Sequence, residues 1–190
     1  MAIDLTKYYR SDIINVKDAE VGGRLFSAVF NADLPNGILG GLGSGFVSGS
    51  TEIKQFILPT VTTAKTLVPV IIQVPEIIYD ETTRANLRLG IFRNLANTPF
   101  ATIPLQNFDE IALSEAYFTK TGTIAVGDVF VLNTDGLLSY ADGTTINATD
   151  YKTTFVVTEI NNSHVPNYVA GDGTFAPSIY KLYDLEINVK

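Results

Sequence analysis

Apolar and polar residues alternate most regularly at the end of the chain. Tyr183, Leu185, Ile187 and Val189 interleave with Asp184, Glu186, Asn188 and Lys190, the period of a strand with one buried and one wet face. Thr153 to Ile160 reads as a further strand. Gly122 to Asn133 reads as a turn leading into one, and Asp135-Gly136 and Asp142-Gly143 flank Leu137 to Tyr140 as hairpin signals. Upstream, Leu25 to Phe30 is a short apolar run before Asp33-Leu34-Pro35-Asn36-Gly37, where proline presets φ and Asn-Gly accepts positive φ. Thr51 to Leu58 reads as a strand ending at Pro59. Thr66 to Val74 reads as another, with Pro69, which cannot donate to a ladder, at its start or at a sheet edge. Between Asp80 and Ile91 the pattern fits both a short helix capped by Asp80 and a strand carrying Leu87, Leu89 and Ile91. Asp109 to Tyr117 holds room for a helical turn.

These elements predict a mainly β protein with few short helices. The expected organisation is an N-terminal arm over residues 1–20, a β-rich body with a Gly-rich loop over 21–118, and a small C-terminal β-barrel or sandwich over 119–190. The arm contains Tyr8, Tyr9 and Arg10. An aromatic pair beside an arginine suits an interface, and a terminal segment lying on its own domain explains it equally well.

Asn36 to Asp80 stands out. Gly37, Gly40, Gly41, Gly43, Gly45 and Gly49 crowd one short run, which reads as turns linking short strands or as a loop moulded onto a neighbour. A phosphate-cradling loop does not fit. The dinucleotide fingerprint requires a third glycine and a following helix, and Phe46-Val47-Ser48-Gly49 is poor helix sequence with no Gly-Lys-Ser/Thr nearby.

Composition narrows the chemistry further. The net charge of −7, with lysine and arginine scattered, argues against non-specific nucleic-acid binding. Absence of cysteine excludes a disulfide framework, a thiolate zinc site and a cysteine nucleophile. The opening MAIDLTKYYRSD has no apolar h-region, so no secretory signal is expected. The apolar run Leu67–Val74 is too short to span a bilayer. The single histidine, His164, lies in Asn161-Asn162-Ser163-His164-Val165-Pro166, which reads as a loop, and no Gly-x-Ser-x-Gly accompanies it. Asp80, Glu81, Asp109, Glu110 and Glu115 offer carboxylates for glycoside chemistry, but the chain has no Trp platform for a sugar. Asp142, Asn147, Asp150 and Asp172 lack the EF-hand spacing. No catalytic constellation, metal site or cofactor site is expected.

The order of the short motifs carries more than any one of them. Asn36-Gly37, Leu42-Gly43, Gly49-Ser50-Thr51-Glu52, Leu58-Pro59-Thr60, Val74-Pro75-Glu76-Ile77-Ile78-Tyr79-Asp80-Glu81, Gly127-Asp128-Val129-Phe130 and Asp135-Gly136 follow one another. This series, over roughly residues 33–136, resembles the head decoration, or capsid cement, proteins of tailed bacteriophages. The chain departs from the pattern between Phe92 and Lys120, where the glycine-arginine turn expected before the Gly-Asp strand is missing. The resemblance implies a non-enzymatic virion protein that binds the outer surface of the phage head and bridges or stabilises capsomers. It implies the major capsid protein as partner, self-association on the lattice, and no nucleic-acid or membrane partner. The expected contact residues are Tyr8, Tyr9, Arg10, Gly40, Gly41, Leu42, Gly43 and Phe46. The alternatives are a tail, fibre or baseplate component recognising a host surface and, more remotely, a carbohydrate-active enzyme using Glu76, Asp80 or Glu81.

Overall fold

The computed structural model describes residues 3, 9, 11–15, 25–74, 93–168 and 175–190, with the backbone alone at 13–15, 163–168 and 175–180. Among them the chain is mainly β. Five strands close a barrel: β2 (Phe26–Val29), β3 (Leu39–Phe46), β4 (Ile53–Ile57), β5 (Val70–Ile72) and β6 (Phe100–Pro104), in the spatial order β2-β4-β3-β5-β6. A seven-stranded sheet takes the rest, in the order β1-β7-β12-β11-β9-β10-β8. Its strands are β1 (Ser11–Asn15), β7 (Glu110–Ser114), β8 (Phe118–Thr119), β9 (Val129–Leu132), β10 (Leu138–Tyr140), β11 (Thr153–Tyr168) and β12 (Phe175–Val189).

The closed barrel therefore lies in the N-terminal half. The C-terminal strands, expected as a small barrel or sandwich, form the larger sheet and recruit β1 and β7 from before residue 119. β7 joins because Ile111 and Leu113 continue the apolar face presented by Tyr183, Leu185 and Ile187, with Ile111 opposite Leu185 and Leu113 opposite Tyr183. The same face continues through Phe155 and Val157 of β11 and Phe130 and Leu132 of β9.

The glycine run is corrected from turns to strand. Leu39–Phe46 is β3, pairing with β4 at Gly41↔Ile57, Leu42↔Phe56 and Phe46↔Lys54, with a bulge between Leu42 and Phe46. Close approach explains the composition at Gly40. A Cβ there would stand 2.4 Å from the Phe56 ring and 2.7 Å from the Ile57 carbonyl oxygen. Phe56 fills the barrel, edge-on to Phe30 at 6.1 Å and to Phe100 at 5.6 Å between centroids, so the strand beside it cannot carry a side chain at that point.

The segment 61–72 departs from the expected Thr66–Val74 strand at its start. Val61–Thr66 is a short helix, α1, and strand begins only at Val70, directly after Pro69. Thr60 and Thr63 cap the helix reciprocally: the Thr63 N–H donates to the Thr60 hydroxyl oxygen at 3.2 Å, and the Thr60 N–H to the Thr63 hydroxyl oxygen at 2.7 Å. Asp109 to Tyr117 splits into β7 and a 3-10 turn at Glu115–Tyr117. The ambiguous stretch from Asp80 to Ile91 lies outside the described residues.

The N-terminal segment lies on its own molecule where it is described. Tyr9 is 3% exposed and meets Tyr117 edge-on at 5.0 Å, and Ser11–Ile13 pair with Ile111–Leu113. One continuous apolar core runs from Ala28, Phe56 and Ile71 in the barrel to Ile111, Phe155 and Leu185 in the sheet.

Two glycines of like backbone separate conformational strain from crowding. Gly136 and Gly143 both have positive φ, +73° and +75°, but only Gly136 is enclosed, with the Leu39 carbonyl oxygen 2.4 Å from where a Cβ would stand. Gly143→Ala is expected to cost about 1–2 kcal/mol from left-handed backbone alone. Gly136→Ala should add an overpacking penalty of about 1–3 kcal/mol. Urea unfolding of both variants measures the difference.

Candidate interaction surfaces

The seam between barrel and sheet is built on the turn at Asn36-Gly37. Asn36 is 3% exposed and spends its amide on three partners. Its Nδ2 donates to the Val74 carbonyl at 2.8 Å, and its Oδ1 accepts from the Val74 N–H at 3.2 Å and from Asn94 Nδ2 at 3.1 Å. The Tyr117 hydroxyl donates to the Asn36 carbonyl oxygen in a short bond. Gly37 has φ +82°, and a Cβ on it would stand 2.6 Å from both Ser11 Cβ and the Tyr117 hydroxyl oxygen. Across the same seam the Leu39 N–H donates to the Gly136 carbonyl at 2.9 Å, and the Thr153 hydroxyl to the Leu67 carbonyl at 3.0 Å. Arg93 lies over the Tyr9 ring at 5.6 Å, and burial pushes its pKa below the usual arginine value.

Of the expected contact residues, Tyr8 and Arg10 lie outside the described residues. Tyr9, Gly40 and Gly41 are buried, Leu42 and Gly43 are half-buried, and Phe46 is exposed. Tyr9 is therefore a core residue, and Gly40 is a packing residue against Phe56, so neither offers a surface in this chain. Phe46 does. It stands 56% exposed at the end of β3 with Lys54 opposite it in register. The Lys54 ammonium lies 5.8 Å from the centres of both the Phe46 and Phe26 rings. Leu25, just before β2, is exposed at the same end, Gly45 faces open space, and the exposed Ile57 lies at the other end of β4, opposite Gly41. The exposure of Leu25 at this rim escaped the sequence pattern because it opens a run, Leu25 to Phe30, that reads as apolar strand.

A second surface is polar. Asp12, Glu110, Asp184, Glu186 and Glu159 lie on adjacent strands of the large sheet, with Glu110 opposite Glu186 and Asp184 opposite Glu159. Burial, then the neighbouring Glu159, and at longer reach Glu110 and Asp12, push the Asp184 carboxyl above its ordinary value, against a 2.8 Å hydrogen bond from Asn161 Nδ2. Like charges opposite one another on a sheet are unfavourable.

The remaining candidates are placed as follows. His164 lies in β11 opposite Ile179, so the loop reading of residues 161–166 is corrected. Pairing to the partner strand overrides local turn preference. The Asp142 side chain accepts from the N–H groups of Thr144, Thr145 and Ile146 at 2.8–3.0 Å, which hold its carboxyl well below the usual range. Asn147 caps the Thr149 N–H at 3.0 Å, and Asp150 lies 3.4 Å from Lys65. The Asp142 and Asn147 oxygens serve their own loops and Asp150 faces Lys65 of α1, and no group of three or more metal-ligating side chains occurs among the described residues. Asp109 is fully buried and accepts from the Gln106 N–H at 2.7 Å. Glu76, Asp80, Glu81 and Asp172 lie outside the described residues. Among the described residues no helix is long and apolar enough to cross a membrane.

No family model, curated protein or solved structure matches the chain.

Two measurements test these assignments. Tyr117→Phe removes a buried donor from the Asn36 carbonyl and should cost about 1–3 kcal/mol in urea unfolding. For Asp184, the folded pKa lies above the unfolded one, so the native state holds more protons between the two and its stability falls as pH rises through that window. Thermal unfolding should show stability gained as pH drops from neutral toward the carboxylate range. Asp184→Asn should raise the melting temperature at neutral pH and flatten that gain. Below the ordinary aspartate value of about 3.9 the sign reverses as Asp142, whose folded pKa is depressed, loses its loop.

Proposed function

We propose that this chain is a non-enzymatic structural protein of a tailed-phage head, which binds the outer capsid surface and bridges or stabilises capsomers. The observation that carries the reading is the ordered series of short motifs from Asn36-Gly37 to Asp135-Gly136 that resembles capsid cement proteins. Asn36-Gly37 and Asp135-Gly136, the two ends of that series, meet at the seam: Gly136 accepts from Leu39, two residues beyond Gly37. In this chain the motifs at the two ends of the series therefore join the barrel to the sheet.

Within this reading the major capsid protein is the partner and the barrel rim is the contact surface. An exposed aromatic beside a lysine, on a strand end free of acidic neighbours in register, suits the core of an interface. Many copies on a symmetric lattice multiply a modest single-site affinity through effective concentration. The virion is the corresponding location, assembled in the host cell.

Co-sedimentation with phage heads that lack the protein tests the reading. Saturable binding is expected, and Phe46→Asp should weaken it by about tenfold, or about 1.4 kcal/mol, while leaving the unfolding curve unchanged. A protein that stays in the supernatant would sink the capsid reading and favour a tail or baseplate component that recognises a host surface.

A further inference from the structure

The turn between β6 and β7 holds a residue that does not suit it. The Asp109 N–H donates to the Gln106 carbonyl at 3.2 Å, closing a four-residue turn whose third position is Phe108, with φ +68°. A turn that needs positive φ at that position ordinarily takes glycine or asparagine. Among the described residues one other non-glycine residue has positive φ, and it is an asparagine, Asn97. A bulky residue in left-handed backbone is a genuine outlier. It persists only where the surrounding structure over-determines it.

Four hydrogen bonds do so. Within the turn, the Gln106 N–H donates to the Asp109 carboxylate at 2.7 Å. Toward β12, the Phe108 N–H donates to the Ile187 carbonyl at 2.7 Å and the Ile187 N–H to the Asp109 carbonyl at 2.9 Å. The Val189 N–H donates to Asn107 Oδ1 at 2.8 Å. The turn is thus fastened to the last strand of the sheet, and its backbone cannot relax without releasing that strand. What the strained position presents is a ring that is 51% exposed, so core packing does not account for it.

The neighbouring side chains set the chemistry. Gln106 and Asn107 are exposed amides, whereas Asp109, the one acid of the turn, is fully buried. A rigidly held aromatic tip flanked by uncharged amides suits an apolar pocket with a neutral polar rim. Its fixed backbone also lowers the ordering cost of binding.

Register places this tip toward the barrel end that carries Phe46. Phe46 pairs with Lys54 near the start of β4, Ser27 near the start of β2 pairs with Ile53, and Phe26 pairs with Thr102 near the end of β6. The end of β3, the starts of β2 and β4 and the end of β6 therefore share one end of the barrel, and Phe108 follows β6 by four residues. Leu95, also exposed, stands toward the other end, where the Asn97 N–H donates to the Phe30 carbonyl just after β2.

We propose that Phe108 is a second capsid anchor beside Phe46, its ring entering an apolar, neutrally rimmed pocket of the major capsid protein. This rests on the capsid reading and deepens it: one anchor belongs to the barrel and the other is fastened to the sheet, so both bodies are held to the shell.

Co-sedimentation with heads that lack the protein, paired with thermal unfolding, tests it. Phe108→Gly should weaken binding by about tenfold or more with a melting temperature at least as high as the parent's, because glycine accepts positive φ. Leu95→Ser, which removes an equally exposed apolar residue elsewhere, should bind like the parent. A parent chain that stays in the supernatant fails the capsid reading and this inference with it. A parent that binds, alongside a Phe108→Gly chain that binds equally well, leaves the capsid reading standing and overturns this inference alone. A Phe108→Gly chain that melts earlier would make Phe108 a packing residue and also overturn it.

Discussion

Everything in this fold depends on burying a turn. Asn36-Gly37 carries polar backbone into a place where water is excluded, and a buried unsatisfied amide costs about 1–3 kcal/mol. The molecule meets that demand from both of its halves. Val74 and Asn94 satisfy the Asn36 side chain, Tyr117 satisfies its carbonyl, and the Gly37 N–H donates to Ile72 at 2.8 Å. Because Tyr117 follows β7 and Ile72 ends β5, the turn cannot be satisfied unless barrel and sheet are docked. The polar network thus fixes the relative position of two bodies whose apolar faces alone would tolerate sliding, since such networks specify a unique arrangement only when every member is satisfied.

That constraint explains where the glycines fall. Gly37 is small because Ser11 and Tyr117 press on it, Gly40 because Phe56 does, and Gly136 because the Leu39 carbonyl does. Gly45, Gly49, Gly122, Gly127 and Gly143 face open space. The run that looks uniform in the sequence thus holds two physical classes. Its buried half lets strands approach, and its exposed half ends in the Ser50 turn, where Ile53 and Glu52 donate to the Ser50 hydroxyl at 2.9 and 3.1 Å.

The legible parts of the sequence were those in which one local rule decides. The alternation at Tyr183–Val189 fixes a face because one side is core and the other wet. Asp135-Gly136 fixes a hairpin because positive φ is needed there. Pro69 marks a strand start because it has no N–H to give. The illegible parts were those decided by distant partners. The stretch between Pro59 and Thr66, rich in β-branched residues, suggests no element in the sequence, yet a reciprocal threonine cap makes Val61–Thr66 helix. Residues 161–166 look like loop, yet the facing strand makes them β. β7 belongs to the C-terminal sheet because its apolar face matches β12, a fact visible only once register is known. Of the residues expected at a contact surface, Phe46 is exposed, whereas the burial of Tyr9 and Gly40 depends on Tyr117 and Phe56, far along the chain.

The acidic row and the closing pairs of the β11–β12 hairpin are linked by position. Both belong to β11 and β12, and the row of Asp184, Glu159 and Glu186 ends before the seven pairs from Asn162↔Lys181 to Tyr168↔Phe175 begin. Like charges across adjacent strands raise the cost of the folded sheet and also repel an identical acidic face brought against it. An identical acidic face is therefore a poor partner for the body of this sheet. Charge discourages stacking of the sheets, and Pro166 and Pro177, opposite one another without an N–H to give, discourage edge addition to the hairpin. Selectivity of this kind comes from raising the alternatives as much as from lowering the chosen contact.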